Sequence, residues 1–347
     1  MKHGTFRVFA GHVCHASGLA LLVVATFGFT GIAQAAGTAD DSEPLPQQAV
    51  TALNKLAGGP HAGYRANHAK GVMLTGHFKA SKEAAGFSKA GHLQGGKDIP
   101  VLVRFSNTTG VPDLPDADPH ASPHGMAIRF SLPDKSTTDI VAISASSFPV
   151  ATPEDFVALL NAIASTNANS PKPSPIEAFM GSHPKAAAWA QTPRPAPASF
   201  GTLEFYGINA FKFTNGKNVA KYGRYQIVPV AGEHALPEGE LKAAKPDYLM
   251  DEIKERVGKA PVKFRLQVQV AENGDELNDG SVSWPATRKT LVLGTITLDG
   301  VVKDQVGEAK KIMFTPLSLV DGIEPSDDPV LLFRPLAYGV SFQQRAQ

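Results

Sequence analysis

Cysteine is almost missing: the only one in 347 residues is Cys14. It lies in a segment laid out like an export signal, so the processed chain is expected to carry no thiol. That excludes a disulfide framework, a cysteine zinc site and a thiolate ligand to any cofactor, and it suits a protein that meets oxidants. Excess charge of either sign is missing too. There are 33 basic and 32 acidic residues, and loss of Lys2 and Arg7 with the leader would leave 31 against 32. This balance offers no surface for nucleic acid or an anionic membrane, and it points to small, neutral partners.

Long apolar runs reduce to one, GLALLVVATFGFTGIA from Gly18 to Ala33. Behind Lys2 and Arg7 and ahead of Ala33-Gln34-Ala35, it reads as a signal peptide cut after Ala35. The run is short for a bilayer span of about 20 residues and is interrupted by glycines. The expectation is a periplasmic or secreted protein with no membrane association after cleavage. Internal repeats and a glycine-rich phosphate cradle are also missing. His120 and His124 have the spacing of two metal ligands on one helix turn, but the prolines and glycine of DADPHASPHG deny them that helix.

What is present is an ordinary globular composition, 43% hydrophobic and 19% charged, long enough to bury a large core. Residues 36–58 are small, polar and proline-bearing before a short helical pattern, and read as an N-terminal arm ahead of a body at 59–347. Strand patterns dominate that body. Val262, Phe264, Leu266, Val268 and Val270 alternate with Lys263, Arg265, Gln267 and Gln269, as in a half-buried strand. Similar runs occupy 100–106, 125–131, 139–144, 204–214, 224–230 and 289–298. Together they predict an α+β chain built on an antiparallel barrel or a large twisted sheet. Helices are expected after Thr152-Pro153-Glu154-Asp155, after Ser174-Pro175, and over KPDYLMDEIKERVG, with Gly258 as its C-cap.

The C-terminal segment GIEPSDDPVLLFRPLAYGVSFQQRAQ carries the chemistry. On a helix at about 100° per residue, Arg334, Tyr338 and Arg345 fall on one face. A guanidinium within hydrogen-bonding range of a phenol favours the phenolate, and tyrosine is one of the known protein ligands of haem iron. Asp328 is placed to cap this helix and to hold Arg334, with Pro329 in the first position. Pro335 lies between the pair, so a kink or a late helix start is expected there.

The N-terminal counterpart is RANHAKG, residues 65–71. With VRFS (103–106), SPHGMAIRF (122–130), DIVAISASSFPVATPEDF (139–156), FYGINAFKF (205–213), SWP (283–285) and GIEPSDDPVLLFRPLAY (322–338), it resembles the catalase family. The likeness is to the smaller exported members, the catalase-related peroxidases, and covers about residues 60 to 345. It implies a catalase-like antiparallel β-barrel with surrounding helices, and a haem of the b type as cofactor. His68 would be the acid-base residue on one side of the haem, oriented by Ser106. Tyr338 would be the iron ligand on the other side, with Arg334 beside it and Asp328 holding Arg334. Arg65, Arg104 and Arg345 would pair with the propionates, and Phe156 would lie against the ring.

Three departures from the family pattern accompany this likeness. Ile143 stands where efficient peroxide-dismutating members have an asparagine. Gln226 stands where a histidine supports the arginine beside the tyrosine, and Asn67 occupies a usually apolar position. The expected activity is therefore peroxidase, using peroxide and a small organic electron donor, with weak catalase turnover. A fatty-acid hydroperoxide-metabolising enzyme and a non-enzymatic haem-binding protein are the alternatives. The large catalases are tetramers, which makes a homo-oligomer an expected partner.

Overall fold

Side-chain alternation decides the sheet. In Val262–Val270, Val262, Phe264, Leu266 and Val268 are buried while Lys263 and Arg265 are exposed, so one face of the strand enters a core and the other meets solvent. The computed structural model describes residues 43–346. The expected leader, its cleavage point and the first residues of the arm lie outside that range. The strands are β1 Gly71–Ala80, β2 Ile99–Ser106, β3 Gly125–Ser131, β4 Thr137–Ile143, β5 Phe205–Tyr206, β6 Phe211–Thr214, β7 Ala220–Pro229, β8 Val262–Val270, β9 Thr290–Val301 and β10 Ile323–Pro325. Every named strand pairing is antiparallel, and β7 bonds to both β5 and β8. Eight strands thus close in the order β7-β5-β4-β3-β2-β1-β9-β8, with β6 and β10 extending outward from β7. Of the two expected architectures, the barrel is the one formed, and closure removes its edges.

Two expectations about strands need correction. The run GVMLTGHFKA, absent from the expected set, forms β1, the strand that leads directly out of RANHAKG. Its pattern is broken by Gly76, where the pairing with β9 shifts register and the partner backbone leaves no room for a Cβ. The run 204–214 is two strands, β5 and β6, because the chain turns out of the sheet between them to present Asn209.

The barrel interior is filled. Phe78, Phe105, Phe130, Phe205 and Phe264 are fully buried there, and Phe105 stacks on Phe200 at 5.2 Å. Such a packed interior has no room for a cofactor, so a site has to lie outside the wall. Helices supply the cover: α1 Leu45–Leu56, α2 Ala84–Phe87, α3 Pro153–Ser165, α4 Pro175–Ser182, α5 Pro184–Gln191, α6 Glu238–Leu241, α7 Tyr248–Lys259, α8 Gln305–Lys311 and α9 Pro329–Ala346. Thr152 caps α3 by accepting from Asp155 N, and Ser174 with Glu177 forms a capping box on α4. Helix α7 runs one residue past Gly258, so that glycine is not its cap. The arm contributes α1, which packs against α3 and α9. Among the described residues, no helix is long and apolar enough to cross a membrane.

Candidate active site

The outward face of β2, β3 and β4 forms one wall of a cavity closed by α1 and α9. On β2, Val103 and Phe105 point into the barrel, which leaves Arg104 and Ser106 facing the cavity; Ala127, Val141 and Ile143 do the same on β3 and β4. From the other side come Ala49, Val50 and Leu53 of α1 and Arg334, Tyr338 and Arg345 of α9. The cavity volume is about 220 Å³.

The segment RANHAKG is built to aim one histidine. His68 has a left-handed backbone, φ 56°, a conformation that a side chain other than glycine adopts only when its surroundings impose it. They do so at almost every residue. Ala66 N donates to Ser341 Oγ at 3.0 Å, and Asn67 Oδ1 accepts from both His68 N at 3.0 Å and Thr109 N at 2.8 Å. Ala69 N donates to Thr109 O, and Ala69 O accepts from Arg104 Nη2. Lys70 is buried in ion pairs with Asp116 at 2.7 Å and Asp247 at 2.6 Å. At Gly71 a Cβ would strike Phe105 O and the Arg104 guanidinium.

Held this way, His68 Nδ1 lies 3.1 Å from Ser106 Oγ, which leaves Nε2 for the cavity. Gly125 supplies the space for the ring: a Cβ there would sit 2.7 Å from Ser106 Oγ and 2.9 Å from His68 Nδ1. Burial, followed by the charges of Arg104, Arg334 and Arg65, lowers the His68 pKa to about 3, so the ring is neutral.

Across the cavity, Arg334 Nε donates to the Tyr338 hydroxyl at 3.0 Å. Helix α9 continues through Pro335, so the two residues keep the one-turn spacing that the shared-face argument needs. Asp328 caps α9, accepting from Val330 N and Leu331 N. It does not touch Arg334 directly. Asn209 stands between them, giving Nδ2 to Asp328 Oδ2 at 2.8 Å and accepting from Arg334 Nη1 on Oδ1 at 2.7 Å. This corrects the reading of Gln226, which bonds to Gln267 at 3.0 Å and is not the support of Arg334. Asn209 lies within the FYGINAFKF segment, but nothing in its spacing announces a partner 125 residues downstream.

The remaining arginines converge. Arg65 Nη2 and Arg345 Nη2 both donate to Ile312 O, at 3.1 and 2.6 Å, and Arg104 lies between RANHAKG and the cavity. Burial lowers all three pKa values, joined by repulsion between the guanidiniums at Arg65 and Arg104; Arg104 falls to about 9 and Arg345 to about 10. None forms a salt bridge among the described residues, and Arg345 Nε is buried without a partner. Buried cations left unpaired in this way are costly unless a ligand brings the anions. Phe156 lines the cavity from α3, packed on Phe148 at 5.3 Å. His120 is exposed and His124 is buried against Asn107, and no group of three metal-binding side chains exists among the described residues.

The packed barrel thus carries, in one external cavity, a histidine, a tyrosine and three guanidiniums that form no salt bridge among the described residues. The catalase family model matches residues 48–346. A catalase-related peroxidase of Mycolicibacterium paratuberculosis is 37% identical over 303 residues, covering 86% of this chain and 94% of that protein. One from Synechococcus elongatus is 33% identical, covering 96% and 95%. Among solved structures, a fungal catalase superposes with a TM-score of 0.73 at 21% identity, over 82% of this chain and 59% of its own length. The chain belongs to the catalase family, whose members are oxidoreductases acting on peroxide. It spans 42% of a catalase from Alkalihalophilus pseudofirmus.

That family implies haem, and the residues present fit one. The cavity offers guanidiniums for two propionates, an oxygen already bonded to an arginine on one side, and a neutral imidazole on the other. Its remaining lining is largely apolar.

Proposed function

We propose that this protein is an exported haem peroxidase, reducing hydrogen peroxide or organic peroxides with electrons from small organic donors, with a weak catalase side reaction. The observation that carries this reading is the trio Arg65, Arg104 and Arg345, one part-buried and two buried, without carboxylates, in a cavity flanked by His68 and Tyr338. A cofactor with two carboxylates and an apolar ring, such as haem b, answers that set. Export rests on the Gly18–Ala33 run and the Ala33-Gln34-Ala35 site.

When bound, the haem supplies iron that can be oxidised by peroxide. Tyr338 would offer its oxygen, which Arg334 Nε already reaches at 3.0 Å, as the iron ligand. Arg65, Arg104 and Arg345 would hold the two propionates. His68 Nε2 takes the proton from one peroxide oxygen and returns it to the other as the O–O bond breaks. Ser106 on Nδ1 fixes which ring nitrogen is free to do this.

The test is to load the purified protein with haemin and record its spectrum, then add peroxide with an organic donor. Wild-type protein is expected to bind haemin and oxidise the donor. His68→Ala is expected to keep the haem and lose about 10²- to 10⁴-fold in peroxide reaction rate. Full activity in that variant, or a wild type that refuses haemin, would overturn the reading.

A further inference from the structure

We infer that Asn67 is the hydrogen-bond donor to bound peroxide, supplying from the residue before His68 the amide that Ile143 lacks. The inference rests on the peroxidase reading above and deepens it.

The side-chain amide of Asn67 is oriented by its own bonds. Oδ1 accepts two backbone N–H groups, His68 N at 3.0 Å and Thr109 N at 2.8 Å. Only a carbonyl oxygen can accept both, so the amide cannot flip, and its –NH2 must occupy the opposite position. Nδ2 makes no hydrogen bond among the described residues, and Asn67 is only part-buried. Asn67 lines the same cavity as His68, Ile143 and Phe156. The two N–H donors of Asn67 therefore belong to a residue lining the cavity next to His68 in the chain, and among the described residues they have no protein acceptor.

The anchoring is stronger than an ordinary asparagine would need. His68 and Thr109 both have positive φ, 56° and 122°, and the Asn67 carbonyl ties the two strained residues together. A donor fixed in this way loses little freedom when substrate arrives, which is what makes a preorganised hydrogen bond useful in a transition state. Ile143 lines the same cavity from β4 with a hydrocarbon side chain. It is paired with Gly125 across β3 and β4, on the Ser106 side of the imidazole. The chain thus has one amide donor beside His68, carried on the loop and not on the barrel wall.

The experiment separates the donor from the anchor. Asn67→Asp keeps an oxygen for both backbone N–H groups and removes the donor, whereas Asn67→Ala removes both. The probes are hydrogen peroxide, as a second-order rate, and carbon monoxide on the reduced haem protein, whose C–O stretch reports a neighbouring donor without turnover. Asn67→Asp is expected to lower the peroxide rate about 10- to 100-fold and to shift the C–O stretch, while still binding haemin. Adding Ile143→Asn is expected to restore both. Asn67→Asp with wild-type rate and stretch, or a loss that Ile143→Asn does not repair, would make Asn67 an anchor only and overturn the inference. Haem binding and donor oxidation by wild type test the parent reading separately, and a wild type without them overturns both.

Discussion

Arg334 Nε donates to the Tyr338 hydroxyl at 3.0 Å across one turn of α9, and the same guanidinium is held at Nη1 by Asn209. The phenol oxygen faces the cavity already paired with a fixed positive charge. Tyr338→Phe removes that oxygen and little volume, so the barrel should fold unchanged. Titration with haemin is expected to give a spectrum altered from wild type and at least tenfold weaker retention. An identical spectrum would remove Tyr338 from the site.

Gly125 is the space in which the His68 ring sits. Gly125→Ala would put a methyl group against Ser106 Oγ and His68 Nδ1. A displacement on the order of 1 Å costs about 10²-fold in a positioned reaction. Stopped-flow measurement should show a loss of that size in the peroxide step with haemin affinity retained. Unchanged kinetics would mean that the His68–Ser106 geometry does not govern the reaction.

The unpaired guanidiniums yield an expectation with opposite signs in the two states. Arg345→Met removes a buried charge that has no counter-ion and a buried Nε that has no partner. Replacing such a charge by a hydrocarbon of similar length should leave the haem-free protein as stable as wild type or more so, by about 1 kcal/mol. Haemin affinity should fall about tenfold. Denaturation of the haem-free form and haemin titration measure the two effects, and a variant weaker in both would show that Arg345 serves the fold alone.

Buried histidines set an acid limit on stability. His92, packed between Phe78 and Phe130, and His124, against Phe200, have pKa values lowered by burial to about 4. The unfolded chain titrates near 6.5, so it takes up protons first as pH falls. The stability of the neutral rings is fully present above about pH 6.5 and is lost as pH drops towards 4, with His68 acting in the same direction in the haem-free protein. At pH 5 the cost is about 2 kcal/mol for each histidine. Urea midpoints at pH 7.5 and 5 should show it, and His92→Leu should have a smaller difference between the two.

Much of this was legible before any fold was known. The strand patterns around 100–106, 125–131 and 262–270 alternate because one face is buried, and the pattern is local enough to read directly. Arg334, Tyr338 and Arg345 share a face because helix geometry alone places them there. Three things were not legible. Strand β1 hides because Gly76 interrupts its alternation where β9 comes close. Asn209 finds Asp328 and Arg334 only once the chain leaves the barrel between β5 and β6. The place of Gln226 on the sheet, bonded to Gln267, follows from the register of β7 against β8.

The division has a physical basis. Periodicity, caps and residue chemistry are properties of neighbours along the chain, and they determined an antiparallel β core, capped helices and a short set of residues able to handle protons and bind a cofactor. The cavity depends on which strands close the ring and which helices cover it. Only tertiary structure could bring Arg65 and Arg345 to one carbonyl, and only tertiary structure could lock Asn67 between His68 and Thr109. Those contacts arise from long-range packing, whose energy is not written in any local stretch.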